Sequence, residues 1–262
     1  MGEYTINVKH LGELPIGTQI EVQLSDMANV MIMTVSGFLA YSRGLRYEYN
    51  GGRPLRQKLY RTTITEVNDY YCVTDMENLI GRTKSSVRVI KPPLLFLSHC
   101  SKNKYYGDII REFVIGLGVR DDQLIYTSHP MNKIPLDSNI FDYLKSNLHK
   151  DILALILLSR DYFNSPACMS EMGAIWVNSK DYTLLAVPDF KFSNTKYRGC
   201  PIDKDQYTAV LNGDNTFRTN MLELKDKIIK MFELVSDEKK TTNLIQNMVD
   251  KIANGRTQNE QK

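Results

Sequence analysis

Hydrophobic and polar positions alternate with a period of two through much of residues 1–91, at Ile20, Val22 and Leu24, less regularly at Leu59, Thr62 and Ile64, and again at Val87 and Val89. Such alternation puts every second side chain on one face of a strand. Turn signals separate these stretches, at Pro15 to Gly17, at Asn50-Gly51-Gly52-Arg53-Pro54 and at Gly81. With no helical stripe longer than two or three turns, residues 1–91 predict a small, mostly antiparallel β domain.

The pattern changes at Lys91-Pro92-Pro93, where consecutive prolines hold the backbone extended and end any preceding element. Beyond it, continuous apolar runs at 94–97, 123–126, 152–158 and 182–187 alternate with amphipathic stretches at 106–117, 136–148 and 166–177. Each parallel connection needs a crossover, so apolar strands separated by single helices predict a doubly wound α/β domain over 93–235. A last helix over 219–234 closes it, with Leu222, Ile229 and Phe232 among acids and lysines. Residues 236–262 read as a polar tail in which Leu244, Met248 and Ile252 permit one short amphipathic helix before the end frays.

A chain of 262 residues, 42% hydrophobic and 24% charged, accommodates two such cores. The 33 basic against 30 acidic residues leave a net charge of +3, too small for the whole chain to bind nucleic acid by its field. No apolar run approaches the roughly 18 residues of a membrane span, and the N-terminus has no basic start followed by an apolar stretch. A cytoplasmic protein without membrane contact is the expectation. Cys72, Cys100, Cys168 and Cys200 are widely spread, with no C-x-x-C pair and no histidine at zinc-ligand spacing. They predict reduced, mostly buried thiols and no metal.

In an open parallel sheet, ligands bind outside the carboxyl ends of the strands. The four apolar runs lead into Ser98-His99, Thr127-Ser128-His129, Ser159-Arg160-Asp161 and Pro188-Asp189. The most informative segment follows the third run, where Ser165 serves as N-cap with Pro166 at the first helical position. On the helix it opens, Cys168, Met172 and Ile175 share one apolar face, Trp176 is expected in the core, and Glu171 is the sole charged residue between Ser165 and Val177. A solitary carboxylate beside a buried stripe is costly to desolvate unless something compensates it. The plainer alternative is a glutamate that turns to the rim and stays wet or pairs with a lysine. No Walker-type phosphate loop, dinucleotide fingerprint, nucleophile elbow or zincin motif is present.

Taken in order, Leu95-Phe96-Leu97-Ser98-His99, Lys133-Ile134-Pro135-Leu136, Ile156-Leu157-Leu158-Ser159 and the stretch from Ser165 to Trp176 resemble a bacterial TIR (Toll/interleukin-1 receptor) domain over about residues 93–234. The resemblance implies a flavodoxin-like sheet of about five parallel strands. It also implies cleavage of the nicotinamide–ribose bond of NAD+, as substrate rather than cofactor, to nicotinamide and ADP-ribose or its cyclic form, in antiphage defence signalling. The family's catalytic glutamate, in its C-x-x-E motif, corresponds to Glu171. Ser98, His99 and Cys168 correspond to the substrate pocket, and Lys133, Ile134 and Pro135 to the loop that admits substrate and mediates assembly. Lys133 and Asp137 replace glycines common in the family, and Ala167 stands where a tryptophan is frequent, leaving Tyr162 or Phe163 as alternative aromatic walls if they are not core residues. The resemblance further implies a homo-oligomer formed through the TIR domain. The alternative is a non-catalytic TIR scaffold acting by self-association or by binding another TIR domain.

Residues 1–91 resemble no family by motif. Between Arg43 and Arg61, six basic residues face the single acid Glu48, with Tyr47, Tyr49 and Tyr60 interleaved, a composition used by single-stranded nucleic-acid grooves. A solvated hairpin tip around Asn50-Gly51-Gly52 explains it more simply, so nucleic acid is not an expected partner.

Overall fold

A computed structural model describes residues 6–55, 59–75, 83–130, 152–178, 181–200, 202 and 207–259. The chain divides into two compact units, Met1–Pro92 and Pro93–Lys262.

The first unit holds two antiparallel sheets. One has the order β1-β6-β3-β4, formed by β1 (Ile6–Leu14), β3 (Ala28–Thr34), β4 (Asn50–Leu55) and β6 (Asn68–Asp75). The other has the order β5-β2-β7, from β2 (Gln19–Leu24), β5 (Leu59–Thr63) and β7 (Ser85–Ile90). Alternate residues of both, among them Ile20, Val22, Val30, Ile32 and Cys72, form a shared core. The alternation in β2 and that of Val87 and Val89 in β7 are legible in the sequence. Strand β3 shows none, because it is buried on both faces: Val30 and Ile32 enter the shared core, whereas Met31 and Met33 pack with Val73, Phe38, Tyr47 and Tyr49. Phe38 belongs to the short helix α1 (Val35–Ser42), whose N-cap Thr34 accepts a hydrogen bond from the Gly37 N–H. Tyr47 and Tyr49 are therefore engaged in packing, and Tyr60 packs against the shared core. Arg61 pairs with Glu21 at 2.7 Å.

The second unit is built on a five-stranded parallel sheet of order β12-β11-β10-β8-β9. Its strands are β8 (Leu94–Ser98), β9 (Leu124–Ile125), β10 (Ile152–Leu158), β11 (Asp181–Ala186) and β12 (Thr208–Val210). Numbered along this unit the order is 2-1-3-4-5, which reverses direction between β8 and β10. Strand β12 has only three residues, too few to carry a period, and the sequence reading missed it. The helices are α2 (Lys104–Leu117), α3 (Arg160–Asn164), α4 (Pro166–Asn178), α5 (Thr195–Gly199), α6 (Asn215–Phe232) and α7 (Glu238–Asn259). The helix expected over 136–148 lies outside the described residues. Helix α6 starts before residue 219 because Asp214 caps it, accepting from the Phe217 N–H at 2.7 Å. Its inward face is Phe217, Met221, Leu224, Ile228 and Phe232, and Leu222 faces solvent.

The segment after Ser236, where Leu244, Met248 and Ile252 permit one short amphipathic helix, forms the longer 22-residue helix α7 (Glu238–Asn259), which buries Ile245, Met248 and Ile252 in the core of the second unit. Two glycines let α7 and α2 approach closely. A Cβ at Gly116 would lie 2.4 Å from a terminal methyl of Leu244, and one at Gly255 would lie 2.4 Å from the Tyr105 ring. The Tyr105 hydroxyl donates to the Lys251 carbonyl, and Lys251 pairs with Glu112, so polar contacts flank the apolar seam. Among the described residues, no helix is long and apolar enough to cross a membrane.

Candidate functional site

The switch in strand order lies between β8 and β10, and the candidate site forms beside it. Strand β8, Leu94-Leu95-Phe96-Leu97-Ser98, is buried throughout, so its last residue delivers a hydroxyl to the carboxyl edge of the sheet without exposing it. Strand β10 ends one residue before Ser159, whose side chain caps α3 by accepting from the Tyr162 N–H at 3.0 Å and donates to Asn103 Oδ1 at 2.6 Å. This cap turns Tyr162 and Phe163 inward, 0% and 2% exposed. Phe163 packs with Phe190 and Tyr197, at ring distances of 5.8 Å to each. Neither side chain is available as a substrate wall in place of the aromatic absent at Ala167.

Helix α4 follows at once. Its Ser165 hydroxyl accepts from the Cys168 N–H at 3.3 Å, and Cys168, Met172 and Ile175 enter the core as their spacing predicts. Glu171 flanks that stripe, half-buried, and turns inward. Ser98 Oγ donates to Glu171 Oε2 at 2.7 Å and lies 2.8 Å from the Tyr162 hydroxyl. A serine has one proton to give, so when it serves the carboxylate its oxygen accepts from Tyr162. Burial keeps that phenol protonated, and the result is a relay from Tyr162 through Ser98 to Glu171. Burial also raises the Glu171 pKa above the ordinary carboxylate range, while the Ser98 hydrogen bond acts in the opposite direction by favouring the ionised form. The wet or lysine-paired rim position is thus not the one adopted.

His99 is buried next to Ser98. Its Nε2 is 2.6 Å from Ser128 Oγ, and its Nδ1 is 3.4 Å from the Leu97 carbonyl. A carbonyl only accepts, so the neutral ring carries its proton on Nδ1 and takes one from Ser128 at Nε2. Burial lowers the His99 pKa, outweighing the Leu97 hydrogen bond and the nearby Asp108 carboxylate. The ring packs against Tyr126 at 4.6 Å, and the Tyr126 hydroxyl reaches Asp108 Oδ1 at 2.8 Å. Cys168 Sγ lies 3.7 Å from the His99 carbonyl, joining the start of α4 to the end of β8. Burial pushes the Cys168 thiol up to about 11, so it sits there as a neutral, nearly inert group.

Four of the sequence-derived residues, Ser98, His99, Cys168 and Glu171, therefore gather at one end of the sheet. Lys133, Ile134 and Pro135 lie outside the described residues. Trp176, expected in the core, is 54% exposed, because it follows Ile175 round the helix to the outer side. The sequence reading missed Tyr162 as a hydrogen-bonding member of the site and Ser128 as the partner of His99. Signals were present for both, Tyr162 three residues after a capping serine and Ser128 at a strand end. All four cysteines are free, and among the described residues no cluster of histidine, cysteine and carboxylate side chains is arranged to hold a metal. The chemistry open to the site is that of a desolvated carboxylate, steered by a hydroxyl relay and set beside a neutral imidazole.

Comparison with known proteins gives two similarities. The family described as a domain of unknown function (DUF1883) matches residues 4–93, the stretch occupied by the first unit. The uncharacterized protein YddK of Bacillus subtilis (strain 168) is 36% identical over 146 residues, covering 56% of this chain. The chain spans about half, 52%, of the length of that relative. No solved structure matches. In sequence, then, the chain is similar to DUF1883 over its first unit and to part of a Bacillus protein over somewhat more than half its length.

Proposed function

We propose that the second unit is a TIR-type domain that cleaves the nicotinamide–ribose bond of NAD+, with Glu171 as the essential carboxylate. The observation that carries this reading is the 2.7 Å hydrogen bond from Ser98 to Glu171 at the strand-order switch of a 2-1-3-4-5 parallel sheet. When the C–N bond breaks, its electron pair neutralises the departing pyridinium and leaves an oxocarbenium-like ribose. A carboxylate held near the ribose stabilises that charge, as in glycoside cleavage. Water then adds to the ribose carbon and releases a proton, giving ADP-ribose, or an adenine nitrogen of the same molecule adds, giving the cyclic product. Partial desolvation strengthens the interaction, and the Ser98 hydroxyl favours the ionised carboxylate and aims it. Ser98 and His99 help to line the pocket, and Cys168 fixes the start of α4 against it. Work as a homo-oligomer in the cytoplasm, in antiphage signalling, belongs to the same reading.

The test is release of nicotinamide from NAD+ by the purified full chain, wild type beside Glu171→Gln, at several protein concentrations and with a crowding agent. Glutamate-dependent release, reduced at least ~100-fold in the variant, supports the reading. Equal turnover in the two proteins, or none at any concentration, rejects it. A second reading, a non-catalytic scaffold, draws on the adjacent apolar residues Trp176 and Val177, exposed at 54% and 71% on α4. It predicts that Trp176→Ser weakens self-association while Glu171→Gln has no effect.

A further inference from the structure

The first unit carries a second candidate site, lined by residues that play no part in the proposed NAD+ chemistry. Strands β1 and β7 are edge strands of the two different sheets, and the seam between them is open. A cleft of about 650 Å³ lies there, with Asn7 and Lys9 from β1, and Lys84, Ser85 and Val87 at and just before β7, among its lining residues. That volume is in the range of small-molecule sites, roughly 300–1,000 Å³. Lys9 crosses the seam, its Nζ donating to the Val87 carbonyl at 3.0 Å. In an antiparallel strand the N–H and C=O of one residue point the same way, so the Val87 N–H faces the seam with its carbonyl. By the two-residue period the Ser85 N–H does so too.

The charge balance of the cleft is one-sided. Two lysines, Lys9 and Lys84, line it, and no acid does so among the described residues. Acids elsewhere in this unit have partners of their own: Glu21 lies between Arg61 and Arg88, Asp69 pairs with His10, Asp75 with Asn29 and Tyr41, and Asp26 Oδ1 accepts from the Met27 N–H. Burial pushes the Cys72 thiol, another lining residue, up to about 12, so it adds no negative charge. Lys9 uses one of three ammonium protons on Val87 and keeps two for a ligand. The Thr83 hydroxyl is spent on Asp26, donating to its carbonyl and accepting from its N–H, both at 3.1 Å. The Ser85 hydroxyl is paired with that of Thr74 at 3.0 Å. The remaining polar groups, two lysines, two backbone N–H groups and the Asn7 amide, are predominantly donors.

We propose that this cleft is a binding site for a small phosphate-bearing molecule of about nucleotide size, held through Lys9, Lys84 and the β7 backbone. Two lysine charges beside exposed edge-strand N–H donors match the dense acceptor array of a phosphate chain. Its binding is independent of the proposed NAD+ chemistry.

The experiment is calorimetric titration of the full chain with inorganic pyrophosphate at fixed ionic strength, using wild type, Lys9→Gln, Lys84→Gln and Glu171→Gln. Saturable binding is expected, about tenfold or more weaker in each lysine variant, with unliganded melting temperatures unchanged. Glu171→Gln is expected to bind like wild type. If Lys9→Gln loosens the seam and lowers the melting temperature, Lys84→Gln alone decides, since its side chain bridges no strands. Absence of saturable binding overturns the proposal, as does affinity insensitive to Lys84→Gln or lost in Glu171→Gln, which would move the site to the second unit.

Discussion

Ser98 and Glu171 stand 73 positions apart in the chain and 2.7 Å apart in space, the serine hydroxyl donating to the carboxylate from the last position of β8. Tyr162 completes the relay from behind, 2.8 Å from the same hydroxyl. One small side chain thus serves both a buried phenol and the only charged group of α4.

Removing that hydroxyl has two separable effects. Ser98→Ala takes away the donor that favours ionised Glu171, so the acid limb of the pH profile for nicotinamide release is expected to move to higher pH and the maximal rate to fall by about 10- to 100-fold, the worth of a hydrogen bond to a charged group. A profile unchanged in position would show that Ser98 does not tune the carboxylate.

The same substitution strands the buried Tyr162 hydroxyl, at an expected cost of about 1–3 kcal/mol. Tyr162→Phe removes the stranded group, so Ser98→Ala with Tyr162→Phe is expected to be less destabilised than the sum of the single changes. Denaturant titration of the four proteins measures this coupling. Strict additivity would dissolve the relay.

Glu171 also sets a pH dependence of stability. Its folded pKa is raised by burial above that of the unfolded chain, so its contribution is complete below the ordinary carboxylate range and is lost as pH rises through the raised value. Glu171→Gln has no charge to bury and escapes that loss. Its melting temperature is expected to gain on that of wild type as pH rises from 4 to 8, and a difference constant across that range contradicts the burial argument.

The α2–α7 seam distinguishes two glycines. At Gly255 a methyl meets the Tyr105 ring, which its hydroxyl bond to Lys251 holds in place, so Gly255→Ala is expected to cost about 1–3 kcal/mol. At Gly116 it meets only the flexible end of Leu244, and the gain in helix propensity of about 1 kcal/mol offsets the adjustment. Thermal unfolding of the two variants is expected to rank them in that order.

Trp176, the only tryptophan, reports on α4 from its outer side. Its native fluorescence is expected to be readily quenched by iodide, and strong protection would mean that this face is covered in solution.

Much of the architecture was legible because it repeats at short range. Ile20, Val22 and Leu24 announced a strand with one buried face, the apolar runs 94–97 and 152–158 announced strands of a parallel sheet, and Ser165-Pro166 announced the start of α4. Where the local pattern was weak, less was legible: β12 is three residues long, β3 is buried on both faces, and α7 runs well beyond the short helix that Leu244, Met248 and Ile252 announced.

By itself the sequence determined which faces are apolar and where helices and strands change, since the 3.6- and 2-residue periods are properties of neighbouring residues. It also placed a lone carboxylate beside the buried stripe of Cys168, Met172 and Ile175. Only the tertiary structure decided that Glu171 turns inward to Ser98, that Tyr47 and Tyr49 pack against the second face of β3, and that Gly116 and Gly255 seat α7 on α2. The reason is that desolvation, hydrogen-bond partnership and close approach are set by groups distant along the chain, which no local period records.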